Sequence, residues 1–314
     1  MSGVLRVSFY GAGQVSGNAA AVLRTRSGYD VLGPYGRHER DAALGSGADV
    51  VVIATTSFLR DVAADVEAAI AAGSNVITTA EEAAYPWAND AGIAERLDAA
   101  ARAAGVTVLG TGLNPGFAFD ALVLTVCGIC PEVRALRVER MVDLSGFGAT
   151  VLRRIGVGYT PDEFAKGTRS GSITGHIGFP QSMHVVAGAL GVAIDRIDRE
   201  IEPIFAEEPL VATSLAVEPG QTAGFRQRYT AVVGGATWFE ALFTGHVAPA
   251  TAGLEPRDEI AVDADPPVRV VTAPGMNPQS GSAAIVANSV RRVVAAAPGW
   301  TTVADLPPAF PSSA

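Results

Sequence analysis

Lysine is almost absent from this chain: Lys166 is the only one, and the rest of the 23 basic residues are arginines. In a sequence so rich in Ala and Gly this is composition bias, and no stability meaning follows from it. Cysteine is scarce too. Cys127 and Cys130 form a C-x-x-C pair, but a structural zinc site takes about four ligands, and no other Cys or His stands at supporting spacing. A redox motif needs a thioredoxin-like context, which the flanking residues lack; the pair reads as small core residues ending a buried helix. No run of about 18 apolar residues occurs, because Ala-rich stretches such as 61–72 carry Asp and Glu at helical spacing, so no membrane partner is expected. The opening MSGVLRVSFYGAG lacks a basic region followed by an apolar stretch and a cleavage site, and a cytoplasmic location is expected. A net charge of −9 argues against nucleic acid or an anionic membrane as the main partner.

What is present supports a sizeable core. Apolar residues make up 48% of the 314 and charged residues 18%, enough for two domains of ordinary size. The first part alternates strands and helices. Strands are expected at 6–10, 29–33, 48–55, 75–79 and 106–110, and helices at 16–26, 59–72 and 89–104, the last two closed by Gly73 and Gly105. That rhythm predicts an α/β fold with a doubly wound parallel sheet. After Asn114-Pro115-Gly116 it changes: helices are expected at 118–128, from 161 behind Thr160 as N-cap, at 180–191 and at 283–294, with a strand at 135–144. Between about 195 and 271, apolar and polar residues alternate among turns, as in 214–217, 226–233, 237–244 and 268–271, which predicts an α+β region with a largely antiparallel or mixed sheet.

Gly11-Ala12-Gly13-Gln14-Val15-Ser16-Gly17 follows the first strand and opens a helix. Glycines let the backbone approach a pyrophosphate, and the helix N-terminus offers free N–H groups, so Gly11, Gly13, Gln14 and Val15 are candidate dinucleotide contacts in a Rossmann domain. The second strand ought to end on the residue that reads the adenosine ribose, an acid for NAD or a base for NADP. No carboxylate stands there, while Arg37, His38 and Arg40 cluster just beyond. NADP is therefore the expected cofactor, with Arg37 and His38 near a 2′-phosphate and NAD the alternative. Glu39 could pair with these bases or contact the ribose instead.

Thr55 and Thr56 follow the third strand, at the carboxyl edge that faces a ligand crevice. Glu81 and Glu82 follow the fourth. Thr79-x-x-Glu82 fits a capping box, a structural role for Glu82. A carboxylate beside a nicotinamide suits an amine substrate, because it can take a proton from an ammonium and then stabilise an iminium. Both glutamates are candidate catalytic residues on that ground. Dehydrogenases that act on alcohols often use Lys, or Tyr with Lys four residues on, and this chain offers neither arrangement near the site; His176 and His184 are the remaining candidate bases. Asn114, in the Gly110–Phe117 segment after the fifth strand, carries an amide suited to the carboxamide of a nicotinamide or to the substrate.

Together with these motifs, the blocks TTAEEAAYPW (78–87), GTGLNPGFAFDAL (110–122), ERMVDLSGFGATV (139–151), GVGYTPDEFAKG (156–167), GSITGHIGFPQS (171–182), APGW (297–300) and DLPP (305–308) resemble the 2,4-diaminopentanoate dehydrogenases and related native amine dehydrogenases, distant relatives of dihydrodipicolinate reductase. The resemblance implies an N-terminal Rossmann domain, placed at 1–117 with 281–314 packing back on it, and a C-terminal domain at 118–280 that closes the substrate cleft and forms a homodimer. It implies an oxidoreductase that interconverts an amine with a ketone or aldehyde plus ammonia through a nicotinamide cofactor, with a catalytic glutamate assigned to the Glu81–Glu82 pair. Tyr159 and His176 are the candidate substrate contacts; Arg153, Arg154 and Arg169 could meet a carboxylate but read more readily as surface residues. Two other readings remain: an imine or enamine reductase of the dihydrodipicolinate reductase type, and a catalytically silent NADP-binding sensor.

Overall fold

The segment Val50–Ile53 (VVVI) has no polar residue on either face, which only a strand covered on both sides tolerates. In the computed structural model, which describes residues 3–311, it is the third strand of a six-stranded parallel sheet. The strands are β1 (Leu5–Tyr10), β2 (Tyr29–Tyr35), β3 (Val50–Ile53), β4 (Asn75–Thr78) and β5 (Thr107–Gly110), and Gly299–Thr301 adds to the far edge of β5. Across the sheet the order is β2-β1-β3-β4-β5 and then Gly299–Thr301. Val51, Ile53, Val76 and Val108 pack on one face against the helices Leu59–Ala71 and Ala91–Ala104. Phe9, Val50, Val52, Ile77 and Leu109 pack on the other against Gln14–Arg24 and Pro278–Ala295. Truncating Phe9, fully buried there, to alanine costs about 3–5 kcal/mol.

Cap chemistry follows the sequence where it is local. Gly105 closes its helix in the left-handed conformation at φ 71°, a position where only glycine is free of strain. Thr160 and Glu163 form a reciprocal capping box on the helix Pro161–Ser170. Among the described residues no helix is long and apolar enough to cross a membrane.

The chain divides into two units, the first made of residues 1–124, 180–191 and 278–314, the second of 125–179 and 192–277. The helix Phe179–Leu190, expected with the second region, belongs almost wholly to the first. Val185 joins the core cluster of Val286 and Val290, and Ser182 donates to Asp120. The second unit holds a mixed sheet of β6 (Ala135–Asp143), β7 (Arg196–Phe205), β10 (Thr222–Val233), β11 (Ala236–His246), β12 (Arg257–Asp263) and β13 (Val268–Thr272). Its order is β13-β12-β6-β11-β10-β7, with β8 (Leu210–Ala212) and β9 (Leu215–Val217) forming a separate pair. Only β6 and β11 run parallel; the other neighbours are antiparallel. Cys127 is buried and Cys130 partly so, both as free thiols, and burial pushes the Cys127 thiol up to about 11.

Candidate functional site

The strand order places a switch point between β1 and β3, where their following loops leave in opposite directions and ligands of open α/β sheets settle. Gly11, at φ 113°, lies so close to β3's exit that a Cβ there would stand 2.3 Å from the Ala54 carbonyl oxygen. Gly13 is the N-cap of Gln14–Arg24, with no side-chain cap, no acid in the first turn, and nothing within 4 Å of where its Cβ would be. The first N–H groups of that helix, at Gln14 and Val15, have no intrahelical acceptor, and Gln14 itself is exposed. Ser16 adds a buried hydroxyl without a partner among the described residues. An uncapped, glycine-lined helix start fits the pyrophosphate of a dinucleotide.

At the adenosine end β2 runs on to Tyr35 rather than stopping at Gly33, and a turn of 3-10 helix, Arg37–Glu39, follows. Glu39 is occupied there: its carboxylate accepts the Gly36 N–H at 2.9 Å. Arg40 is occupied as well, paired to Asp65 at 2.6 Å. Arg37 and His38 stay exposed without an ion-pair or hydrogen-bond partner among the described residues. Of the two hydroxyls after β3, Thr56 caps the turn into the next helix, accepting from the Phe58 N–H at 3.3 Å and lying 3.3 Å from Asp61. Thr55 is half-buried with no such contact.

The glutamates sit on the 3-10 turn Glu81–Ala84, just beyond β4. Three features fix this turn. A Cβ on Gly110 would stand 2.2 Å from the Ala83 backbone, so glycine at the end of β5 admits the turn against the sheet. The Trp300 indole N–H donates to the Ala83 carbonyl at 3.1 Å. The Glu82 N–H donates to the Ser57 carbonyl at 3.2 Å. The capping box expected between Thr79 and Glu82 does not form. Instead the Glu82 carboxylate accepts the Leu59 N–H at 2.8 Å, capping the helix Leu59–Ala71 from a distant segment. The N-cap of that helix, Phe58, has no side-chain acceptor of its own, so an outside carboxylate outcompetes the local pattern. Glu81 is half-buried on the same turn.

Asn114 lies in the loop after β5. Both atoms of its side-chain amide are shut off from solvent, and neither has a hydrogen-bond partner among the described residues. Leaving such groups unsatisfied costs about 1–3 kcal/mol each, which makes the amide a candidate contact for a bound ligand. Asp120, fully buried at the end of this loop, escaped the sequence reading because nothing local marks a carboxylate in NPGFAFD as buried; its Ser182 partner lies far along the chain.

The second unit holds the other two candidates. Tyr159 is half-buried, and its carbonyl accepts the Thr222 N–H at 2.8 Å. The His176 ring packs against Phe179 and Phe243 with centroids 5.2 and 4.9 Å away, and its backbone N–H donates to Gln227 at 2.8 Å. Burial, aided by the Arg140 guanidinium, pushes His176 down to about 3, so it is neutral and weakly basic near pH 7. His184 stacks on Tyr85 at 5.3 Å in the first unit and is also pushed down by burial. Arg153, Arg154 and Arg169 are exposed. An arginine that the sequence did not single out, Arg140, is instead buried, paired to Asp258 at 2.8 Å and bound to the Met276 carbonyl at 2.9 Å.

Comparison with known proteins adds three findings. The family model described as the 2,4-diaminopentanoate dehydrogenase C-terminal domain matches residues 117–312. A 2,4-diaminopentanoate dehydrogenase of Acetoanaerobium sticklandii is 30% identical over 329 aligned positions, covering 96% of this chain and 93% of the relative. The solved structure of an amine dehydrogenase from Mycobacterium smegmatis superposes with a TM-score of 0.85 at 20% identity over 98% of both chains, a likeness of fold. With a family model over more than half its length and a full-length relative, the chain belongs to the 2,4-diaminopentanoate dehydrogenase family.

Proposed function

We propose that this protein interconverts a small amine with its ketone or aldehyde and ammonia, prefers NADP to NAD, and uses Glu81 as the carboxylate that handles the substrate proton. Its family makes it a nicotinamide-dependent amine dehydrogenase, an oxidoreductase acting on CH–NH2 bonds; cofactor preference, substrate and residue roles are the proposal. The cofactor, when bound, accepts a hydride from the amine carbon or returns one to the iminium carbon. An amine reaches the site as an ammonium, with a free pKa near that of lysine. The Glu81 carboxylate takes one N–H proton, which frees the nitrogen lone pair to form the C=N bond as hydride leaves. Its negative charge then opposes the positive iminium. Water adds to the iminium carbon, ammonia departs, and the carbonyl remains.

The observation that carries this assignment is the Asn114 amide, sealed from solvent with neither atom bonded, on the loop after β5. Its donors and its acceptor suit the nicotinamide carboxamide. Gly13, Gln14 and Val15 would hold the pyrophosphate on free N–H groups, with Thr55 beside them and Arg37 and His38 at the 2′-phosphate. A homodimer through the second unit belongs to the same proposal: one face of its sheet carries a ladder of Arg137, Glu139, Arg228, Glu240, Glu259 and Arg269 whose alternating signs suit a two-fold contact. The test is NADPH consumption with ammonia and a panel of small aldehydes, ketones and 2-amino-4-oxopentanoate. Turnover that needs ammonia, and falls by about 100-fold or more in Glu81→Gln with NADPH affinity kept, is expected. Wild-type turnover in that variant would reject Glu81.

A further inference from the structure

We infer that Asp120 is a positioning residue that holds the Asn114 amide ready for the nicotinamide; this rests on the reading of Asn114 given above. Asp120 is fully buried, and both oxygens of its carboxyl accept hydrogen bonds from the first unit. One oxygen accepts the Gly116 N–H and the Ser182 hydroxyl, both at 2.8 Å, and the other accepts the Ala121 N–H at 2.7 Å. Burying a carboxylate is unfavourable, and burial pushes the Asp120 carboxyl above its ordinary range against the pull of these donors; a simple turn does not require one.

The loop around it shows what the carboxylate holds. Thr111 donates its N–H to the Thr78 carbonyl at 2.9 Å, and Leu113 donates to the Ser282 hydroxyl at 3.2 Å. Ala118 returns to the Leu113 carbonyl at 2.8 Å. Gly116 sits at φ 123°, so near the start of the loop that a Cβ would stand 2.4 Å from the Gly112 nitrogen. Asn114 therefore stands between two anchors, Ser282 through Leu113 and Asp120 through Gly116. Its own side chain makes no hydrogen bond among the described residues, so no polar contact of its own aims it. The Asp120 anchor is the more extensively bonded of the two, because the same carboxyl also accepts from Ala121 and Ser182. The Ser182 hydroxyl fixes the carboxylate in turn, from the helix Phe179–Leu190.

The experiment compares two ligands that differ only in the nicotinamide: NADPH and 2′-phospho-ADP-ribose, each titrated against the full chain, with NADH and ADP-ribose as a parallel pair. Asn114→Ala should lose about 10-fold in NADPH affinity and nothing for the nicotinamide-free ligand. Asp120→Asn and Ser182→Ala should each lose about 3- to 10-fold for NADPH alone. Combining Asp120→Asn with Asn114→Ala should add no further loss, since the first acts through the second. Ser182→Ala leaves the carboxylate and both backbone bonds in place, so it reports even if Asp120→Asn folds poorly. A specific loss in Asn114→Ala with none in the other two variants overturns the positioning role alone, as does a loss shared equally by both ligands or a multiplicative double variant. Wild-type NADPH affinity in Asn114→Ala overturns the Asn114 reading and the positioning role with it.

Discussion

Removing the Glu82 carboxylate tests which helix it caps. Its oxygen lies 2.8 Å from the Leu59 N–H, at the first turn of Leu59–Ala71, and Phe58 at the N-cap supplies no side-chain acceptor. Losing a side-chain cap costs about 0.5–2 kcal/mol, and losing a negative charge at a helix N-terminus about 0.3–1 kcal/mol. Glu82→Ala forfeits both, and a total of about 1–3 kcal/mol lowers Tm by about 2–12 °C in a domain of this size. Glu82→Gln keeps an acceptor and loses the charge, so it should fall between Ala and wild type. Thr79→Ala is the control: the Thr79 hydroxyl has no hydrogen bond among the described residues, and its removal should change stability by less than about 0.5 kcal/mol. Urea melts followed by far-ultraviolet circular dichroism measure all three. A Thr79→Ala variant as unstable as Glu82→Ala, or a Glu82→Ala variant as stable as wild type, would refute the long-range cap.

Arg37→Ala should narrow the preference for NADP over NAD by about 10-fold, read by fluorescence titration; equal wild-type affinities for the two cofactors would defeat the assignment. Light scattering across a dilution series should give a dimer, and a monomer at every concentration would contradict the two-fold contact through the second unit. His176 is pushed down to about 3 from an ordinary 6.5. Between those values the unfolded chain takes a proton that the folded one refuses, so stability falls as pH drops through that window, by up to about 1.4 kcal/mol per pH unit. His176→Asn should remove that one-proton slope, and an unchanged slope would show that other groups cause it.

Features specified by neighbouring residues were legible in the sequence. The glycine turn after β1, the glycine stop at Gly105 and the Thr160–Glu163 box each involve residues a few positions apart. The unpolar run of β3 was equally plain. Elements whose stability comes from a distant partner were not. β7 carries charges on both faces and Pro203, as an edge strand paired only to β10 can. β12 begins Arg-Asp-Glu, and Asp258 is buried only because Arg140 on β6 meets it. Gly299–Thr301 is too short to show a period and exists by pairing with β5.

The same distinction sorts the candidate site. In sequence Arg37 and Arg40 are alike, as are Thr55 and Thr56, and nothing near Asn114 marks its amide as special. Folding gives Arg40 to Asp65, Glu39 to the Gly36 N–H, Thr56 to the turn at Phe58, and Glu82 to the Leu59 N–H. Each of these polar groups is accounted for within the protein. Arg37 is left exposed and unpaired among the described residues, Gly13 leaves a helix start uncapped, and the Asn114 amide is enclosed with neither atom bonded. A folded chain satisfies nearly all of its buried polar groups, and the enclosed amide is the observation on which the proposed nicotinamide contact rests. A cation, an uncapped helix start and an amide are the complements of a phosphate, a pyrophosphate and a carboxamide, the three polar parts of one dinucleotide.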